Sequence, residues 1–305
     1  MLTHIIKHIV ISGGGTFGLT VYGIIRELIL NKCIDINDIE TFHGTSAGAI
    51  INLCFILGYD IETLDKYFIK RPWEQVFKCD MDDCLSLFEN CGTFNSDLFH
   101  KALDPLLRGI DLEPNITLSQ LYDKTKKDFY VYVTEINSFT TETISHKTHP
   151  DWTVVDAIYA SCALPIIFRP FICGDKAYTD GGFFLNYPIS KCIESEGVNK
   201  DEILGIYKEF TDDELLQNVT EKSSLTEYFS VFLRNLIIHT NKGVFIECKY
   251  QICINNSYTH MDELMLFATS SEYRKTIIDY GADYANEFLS SHNFIKEKDD
   301  EENQD

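Results

Sequence analysis

Through the first two hundred or so residues, short β-branched runs alternate with longer stretches of helical spacing, the pattern of a parallel sheet with crossover helices. His8 to Ser12 (HIVIS) predicts a short apolar strand ending in Gly13-Gly14-Gly15. From Gly18 to Asn31, residues Leu19, Tyr22, Ile25, Leu28 and Ile29 recur as one helix face. A second strand, Ile39 to His43, runs into Gly44-Thr45-Ser46-Ala47-Gly48. The apolar stretch Ala49 to Leu57 then has the length of a helix, ended by Gly58. Asp60 to Lys70 predicts a helix stopped before Pro72, and Phe129 to Thr134 (FYVYVT) a buried strand. Val154 to Ser161 predicts a helix, and Asp201 to Tyr207 contains a strand, ILGIY.

Beyond Asp212 the pattern is mainly helical, with Leu225 to His239 and Ser271 to Leu289 the clearest helices. The run Val244 to Ile254 fits helix or strand equally. With no repeat and no Pro- or Ser-rich linker, residues 1–211 are expected to form one α/β domain with its core at about 9–192. Residues 212–292 are expected to elaborate that domain, and 293–305 (ending KEKDDEENQD) to be an acidic, disordered tail. The apolar stripe of Leu225 to His239 packs inward by default, with lid or interfacial helix as the alternatives.

Charge narrows the partners. Lys and Arg total 26 against 47 Asp and Glu, a formal charge of −21, which argues against nucleic acid and against purely electrostatic adsorption to anionic membranes. A lipid would have to be held by apolar contact or a local basic patch. The ten cysteines are scattered singly with no C-x-x-C pair, which disfavours a zinc site and a disulfide framework. No acidic cluster has calcium-ligand spacing, so no metal and no cofactor is implied. Met1 to Ile11 is too short for a membrane span and lacks a cleavage site, so the sequons at Asn115, Asn218 and Asn255 are expected to be chance. The expectation is a reduced, cytoplasmic, soluble protein, with peripheral membrane contact left open.

Gly44-Thr45-Ser46-Ala47-Gly48 fits G-x-S-x-G, the sharp strand-to-helix turn that exposes a nucleophilic serine. Gly44 and Gly48 allow the backbone approach that such an elbow needs, and the helix N-terminus points N–H groups at a developing oxyanion. Strand before and apolar helix after supply the required context; a simple Gly-Ser connection is the plain alternative. Gly13-Gly14-Gly15-Thr16-Phe17-Gly18 satisfies G-x-G-x-x-G, but Asp35, Asp38 and Glu40 lack the strand-end setting of a dinucleotide site. Its other use is an oxyanion hole, whose donors contribute about 3 to 4 kcal/mol each.

Ser46 needs a base, and two kinds are available. Among the downstream histidines His100, His146, His149, His239, His260 and His292, none follows a confident strand. The other candidate is Asp180, where Gly181 and Gly182 let the chain turn tightly and leave the carboxylate uncrowded. An ordinary Asp-Gly turn is the plain alternative.

Four segments in order, GGGTFG (13–18), GTSAG (44–48), YASCALPIIFRP (159–170) and DGGFFLNYP (180–188), resemble the patatin-like phospholipase family. The likeness runs from about Ile9 to Cys192, with a weaker one in IIDYGADYANEFL (277–289). It implies a three-layer α/β/α fold with a mostly parallel central sheet and a Ser–Asp dyad without catalytic histidine. By that resemblance Ser46 attacks an ester carbonyl, Asp180 takes its proton and activates the deacylating water, and Gly13, Gly14, Gly15 and Thr16 form the oxyanion hole. Similar proteins carry Arg or Lys where this chain has Phe17; Arg169 is a candidate to compensate, against a plain surface role. Pro165 and Pro188 are expected to shape turns.

The sequence therefore leads to a lipid acyl hydrolase acting on phospholipids, lysophospholipids or neutral glycerides. An inactive patatin-like scaffold that binds lipid or a protein partner is the second reading, motivated by Phe17. A nucleotide-binding protein is a distant third.

Overall fold

HIVIS forms strand β1 (His8–Ile11), and its alternation decides the layering. Ile9 and Ile11 join the large apolar core, while Val10 joins a smaller one with Ile189, Cys192, Ile203 and Cys248 on the opposite face. The large core holds helices α1 (Gly18–Leu30) and α2 (Ala47–Ile56). Helices thus cover both faces of the sheet, giving three α/β/α layers. The computed structural model describes residues 5–78, 87–195, 197–209, 218–242, 246–255 and 261–292. The expected acidic tail, Cys79, Cys84 and His260 lie outside them.

β1 pairs in parallel with β2 (Thr41–Thr45), which pairs in parallel with β4 (Asp128–Glu135). Between them in the chain, β3 (Gly92–Phe94) forms a separate two-stranded sheet with β6 (Ile166–Phe168). β5 (Thr140–Ile144), β7 (Phe171–Cys173) and β8 (Lys176–Asp180) complete one side of the main sheet in antiparallel sense. On the other side β9 (Ile203–Lys208) and β10 (Tyr250–Ile254) extend it in parallel, making eight strands. Further helices are α3 (Asp97–Arg108), α4 (Val154–Cys162), α5 (Gly182–Leu185), α6 (Leu225–Thr240), α7 (Met261–Thr269) and α8 (Ser271–Ser291).

Three elements differ from expectation. β2 starts at Thr41 and runs through Gly44 and Thr45, because Ile39 closes the capped turn at Ile36–Asp38 by giving its N–H to the Ile36 carbonyl. The helix expected over 60–70 is α-helical only from Ile61 to Asp65 and then widens to a π-turn, Lys66–Lys70. The ambiguous run resolves at Tyr250–Ile254 as strand, so the mainly helical C-terminal region also contributes to the sheet.

α1 and α8 cross backbone to backbone. A Cβ on Gly23 would stand 2.0 Å from the Ile278 carbonyl oxygen, and one on Gly281 would stand 2.1 Å from that of Thr20. Only glycine permits this approach.

Candidate active site

The sheet register brings Ser46 and Asp180 together. β5 occupies one edge of β4 from Val131 to Glu135. β2 pairs with residues Asp128 to Tyr132 and β8 with Val133 to Glu135, so these two strands meet end to end along the other edge. Thr45 stands opposite Tyr132 and Asp180 opposite Val133. The residue following Thr45 therefore arrives beside Asp180.

At that junction Ser46 donates from Oγ to Asp180 Oδ2 at 2.7 Å. Ser46 caps α2 with φ 53° and ψ −124°, a sparsely populated conformation that costs about 1–3 kcal/mol and aims the side chain out of the turn. Its backbone N–H donates to Ser161 Oγ (2.8 Å), which donates in turn to the Tyr132 carbonyl (2.6 Å). Gly48 lets the turn close, since a Cβ there would stand 2.6 Å from the Ile11 carbonyl oxygen. Gly44, the last-but-one residue of β2, passes close to the start of α2, where a Cβ on it would stand 2.7 Å from the Ala49 nitrogen.

Asp180 is 6% exposed, and its Oδ1 accepts from the Gly182 N–H at 2.7 Å. Burial raises its pKa to about 6, against the opposing hydrogen bonds from Ser46 and Gly182. A carboxylate so placed is a better base than a solvated one. Gly181 passes close under the β4 backbone, and the Asp180 N–H and the Thr179 hydroxyl both donate to the Ala163 carbonyl. The segment after α4 thereby holds the strand that carries Asp180. Cys162, buried next to the pair, has its thiol pushed well up by burial and by the Asp180 charge.

The glycine loop lies on the other side of Ser46. Gly13 donates its N–H to the Asn186 carbonyl at 3.0 Å, and a Cβ on it would stand 3.2 Å from Ser46 Cβ. Gly15 has φ +61° and open space where a side chain would be. Among the described residues, no group accepts the N–H of Gly14 or Gly15. Gly15, Thr16 and Phe17 form a single 3-10 turn into α1. Phe17 is 6% exposed and packs over Gly14, so apolar contact anchors the loop where a basic residue was expected.

The other candidates are placed elsewhere. His43 is buried three residues before Ser46 but bonds through Nδ1 to the Tyr132 hydroxyl, and burial lowers its pKa to about 3. His100 pairs with Asp104 and His146 with Asp128; among the described residues no histidine bonds to Ser46. Arg169 braces the small sheet, its N–H donating to the Phe94 carbonyl and its Nε to that of Gly92. Pro165 and Pro188 both lie in turns. No group of three described His, Cys, Asp or Glu residues could hold a metal ion. Sequence reasoning assigned no role to Ser161, Asn186, Thr240 or Asn241, all of which hold the loops around Ser46 and Asp180 in place. Ser161 and Asn186 stood within quoted motifs; Thr240 and Asn241 gave no signal.

The fold and the site define a three-layer α/β protein with a serine at a strand-to-helix elbow facing a buried carboxylate. The chain belongs to the patatin-like phospholipase family, which matches residues 9–193. Over 185 residues it is 30% identical to an uncharacterized protein of Acanthamoeba polyphaga mimivirus, covering 61% of each chain. Over 190 residues it is 28% identical to "Probable lipid hydrolase 463L" of Invertebrate iridescent virus 6, covering 62% of this chain and 63% of that one. The matched segment thus spans less than two thirds of both viral relatives. Among solved structures, VipD from Legionella pneumophila shares the fold, with TM-score 0.50 at 17% identity over 94% of this chain and 67% of VipD.

Proposed function

We propose that the protein is a lipid acyl hydrolase that cleaves carboxylic ester bonds through a Ser46–Asp180 dyad and an acyl-enzyme intermediate. The observation that carries this reading is the direct 2.7 Å hydrogen bond from Ser46 Oγ to a buried Asp180 carboxylate. In the first step Ser46 Oγ attacks the ester carbonyl carbon while its proton passes to Asp180 Oδ2. The oxyanion takes hydrogen bonds from the N–H groups of Gly14 and Gly15 in the glycine loop, whereas the Gly13 N–H, expected there from the sequence, is already given to the Asn186 carbonyl. Collapse breaks the bond to the alcohol, which leaves with the proton from Asp180. Water then gives a proton to Asp180 and attacks the acyl-serine, and collapse releases the fatty acid as Asp180 returns that proton to Ser46 Oγ. The buried Phe17, packed on Gly14, supports an intact loop and so favours hydrolysis over the scaffold reading. The name of the iridescent-virus relative, a lipid hydrolase, supports the same class.

Serine-directed fluorophosphonate should label Ser46 in wild type, and Ser46→Ala should neither label nor hydrolyse a short-chain ester or a phospholipid. Folded wild-type protein that resists the reagent and is inert on both esters would sink the reading.

The surroundings of the site favour an aggregated lipid over a soluble ester. Because β4 runs parallel to β2, the β4–β5 turn lies at the same end of the sheet as Ser46. It exposes Ile136 and Phe139, 38% and 60% accessible, and the Phe139 ring stands edge-on to Phe184 of α5 at 4.7 Å. Phe139 has φ +56°, where a side chain costs about 1–2 kcal/mol. An aromatic residue is therefore kept where glycine fits better. Glu135, buried beneath, fixes the turn by accepting from the N–H groups of Asn137 and Ser138, at 3.0 and 2.6 Å. The four turn residues carry no charge, which suits an uncharged or zwitterionic lipid surface in a chain of charge −21.

Phe139→Gly is accordingly predicted to keep its melting temperature while losing vesicle binding. Forgoing the burial of one Phe, about 1.5–3 kcal/mol, should weaken binding to phosphatidylcholine vesicles tenfold or more. Vesicle co-sedimentation checks this, and unchanged binding removes Phe139 from the lipid contact.

A further inference from the structure

Helix α5 has only four residues, Gly182–Leu185, so most of its carbonyl groups have no partner within it. Their partners come from far away in the chain. Thr45 Oγ1 donates to the Leu185 carbonyl at 2.9 Å, Thr240 Oγ1 to that of Phe183, and Asn241 Nδ2 to that of Gly182 at 2.9 Å. Asn241 also accepts, through Oδ1, the N–H of Asn186 at 2.8 Å. Its second Nδ2 hydrogen goes back to the Ile237 carbonyl at 2.8 Å, which fixes the amide on the end of α6. Donor and acceptor sides of the amide are therefore both committed, and each partner flanks a candidate site loop.

One flank leads to the aspartate. Gly182, whose carbonyl Asn241 holds, gives its own N–H to Asp180 Oδ1. The other flank leads to the glycine loop. Asn186, whose N–H Asn241 holds, accepts the Gly13 N–H through its carbonyl at 3.0 Å and offers Nδ2 to the Gly13 carbonyl at 3.4 Å. One amide thus stands one hydrogen bond away from the turn carrying Asp180 and, through Asn186, two away from the loop beside Ser46. It also lies beyond residue 193, where the family match ends.

We propose that Asn241 is a positioning residue, which sets the spacing between the Asp180 turn and the glycine loop and so couples the end of α6 to the active site. The proposal rests on the acyl-hydrolase reading. An interaction of this kind changes the rate of chemistry more than the binding of substrate, because the hydrogen bonds of Asn241 go to Gly182, Asn186, Ile237 and Thr240 and reach the dyad only through those groups. A misplacement of about 1 Å in such a constellation costs on the order of a hundredfold in rate.

Two near-isosteric variants test this. Asn241→Leu removes the amide's hydrogen bonds to Gly182, Asn186 and Ile237 together; Asn241→Asp keeps the acceptor for Asn186 and loses the donors for Gly182 and Ile237. For each, kcat and KM on a soluble ester, the fluorophosphonate labelling rate and the melting temperature are measured beside wild type. The expected result is a fall in kcat of about tenfold to a hundredfold for Asn241→Leu, with KM within about threefold of wild type. The labelling rate should fall in step, since it reports serine and oxyanion-hole geometry without substrate binding. Asn241→Asp, which keeps the acceptor for the Asn186 N–H, should lie between Leu and wild type, with the melting temperature separating a change of geometry from a loss of fold. Either variant folded with wild-type kcat and labelling rate overturns the proposal, as does a loss explained by KM alone or by a smaller folded fraction. Wild type inert toward ester and reagent alike overturns the acyl-hydrolase reading and the role of Asn241 with it, whereas an active wild type with unaffected variants overturns the role of Asn241 alone.

Discussion

Asp180→Asn should abolish ester hydrolysis and, at neutral pH, leave the fold more stable than wild type. Burial raises the Asp180 pKa from 3.8 to about 6, so the folded state holds this proton more tightly than the unfolded chain does. Stability from the group is complete below about pH 4, declines as the pH rises through about 4 to 6, and is absent at pH 7. At about 1.4 kcal/mol per unit, the deficit of the ionised form at pH 7 is on the order of 3 kcal/mol. Asparagine carries no such charge, can still accept the Gly182 N–H, and has an amide hydrogen to offer Ser46 Oγ. Urea unfolding should therefore show Asp180→Asn above wild type at pH 7, with the difference closing toward pH 4. The same titration sets the activity. The base works only when ionised, so wild-type kcat/KM should rise with pH to a plateau above about 6, and the variant should lose on the order of a thousandfold. A variant that keeps its activity would remove Asp180 from the mechanism, and one less stable than wild type at pH 7 would mean that the carboxylate is better paired than its burial implies.

Much of this was legible before the fold was known, because it lies in local chemistry. HIVIS with its glycine loop, GTSAG with strand before and helix after, and Asp180 followed by two glycines each carry their purpose within a few residues. What the chain could not disclose is how distant strands share an edge. Lys176 to Thr179 gave no strand signal of its own, since its strand character comes from pairing with β4 and β7. The β4–β5 turn went unseen because Phe139 occupies a position where glycine would have announced it. Asn241 was invisible for a stronger reason. Its use depends on the bare carbonyls of a four-residue helix more than fifty residues away, and nothing near it in sequence encodes that need. Phe17, conversely, looked like a defect in sequence, and its packing against Gly14 gives it a structural purpose.

The second large effect concerns how residues 212–292 relate to the rest, and Gly281→Val is the substitution that probes it. A Cβ at 281 would meet the Thr20 carbonyl oxygen at 2.1 Å, with Gly23 Cα at 3.0 Å. Both are backbone or backbone-anchored atoms, so no rotamer change relieves the clash and the two helices must separate. Overpacking of this kind costs about 1–3 kcal/mol when side chains can yield, and more where only backbone can move. A loss of about 4 kcal/mol or more is expected, against less than about 0.5 kcal/mol for Glu287→Ala, exposed on the same helix. The readout that matters is Trp152, read in a Trp73→Phe background because Trp73 packs on Phe267 of α7; Trp152 itself packs among His149, Phe171 and Tyr178, far along the chain from α8. If α8 and the sheet fold as one unit, Gly281→Val moves the Trp152 transition and the circular-dichroism transition together. A Trp152 transition left at its wild-type midpoint, with helix signal lost earlier, would make α8 a separable layer. The first outcome is expected because α1 leads directly out of the glycine loop: displacing α8 displaces α1, and with it the N–H groups proposed to hold the oxyanion.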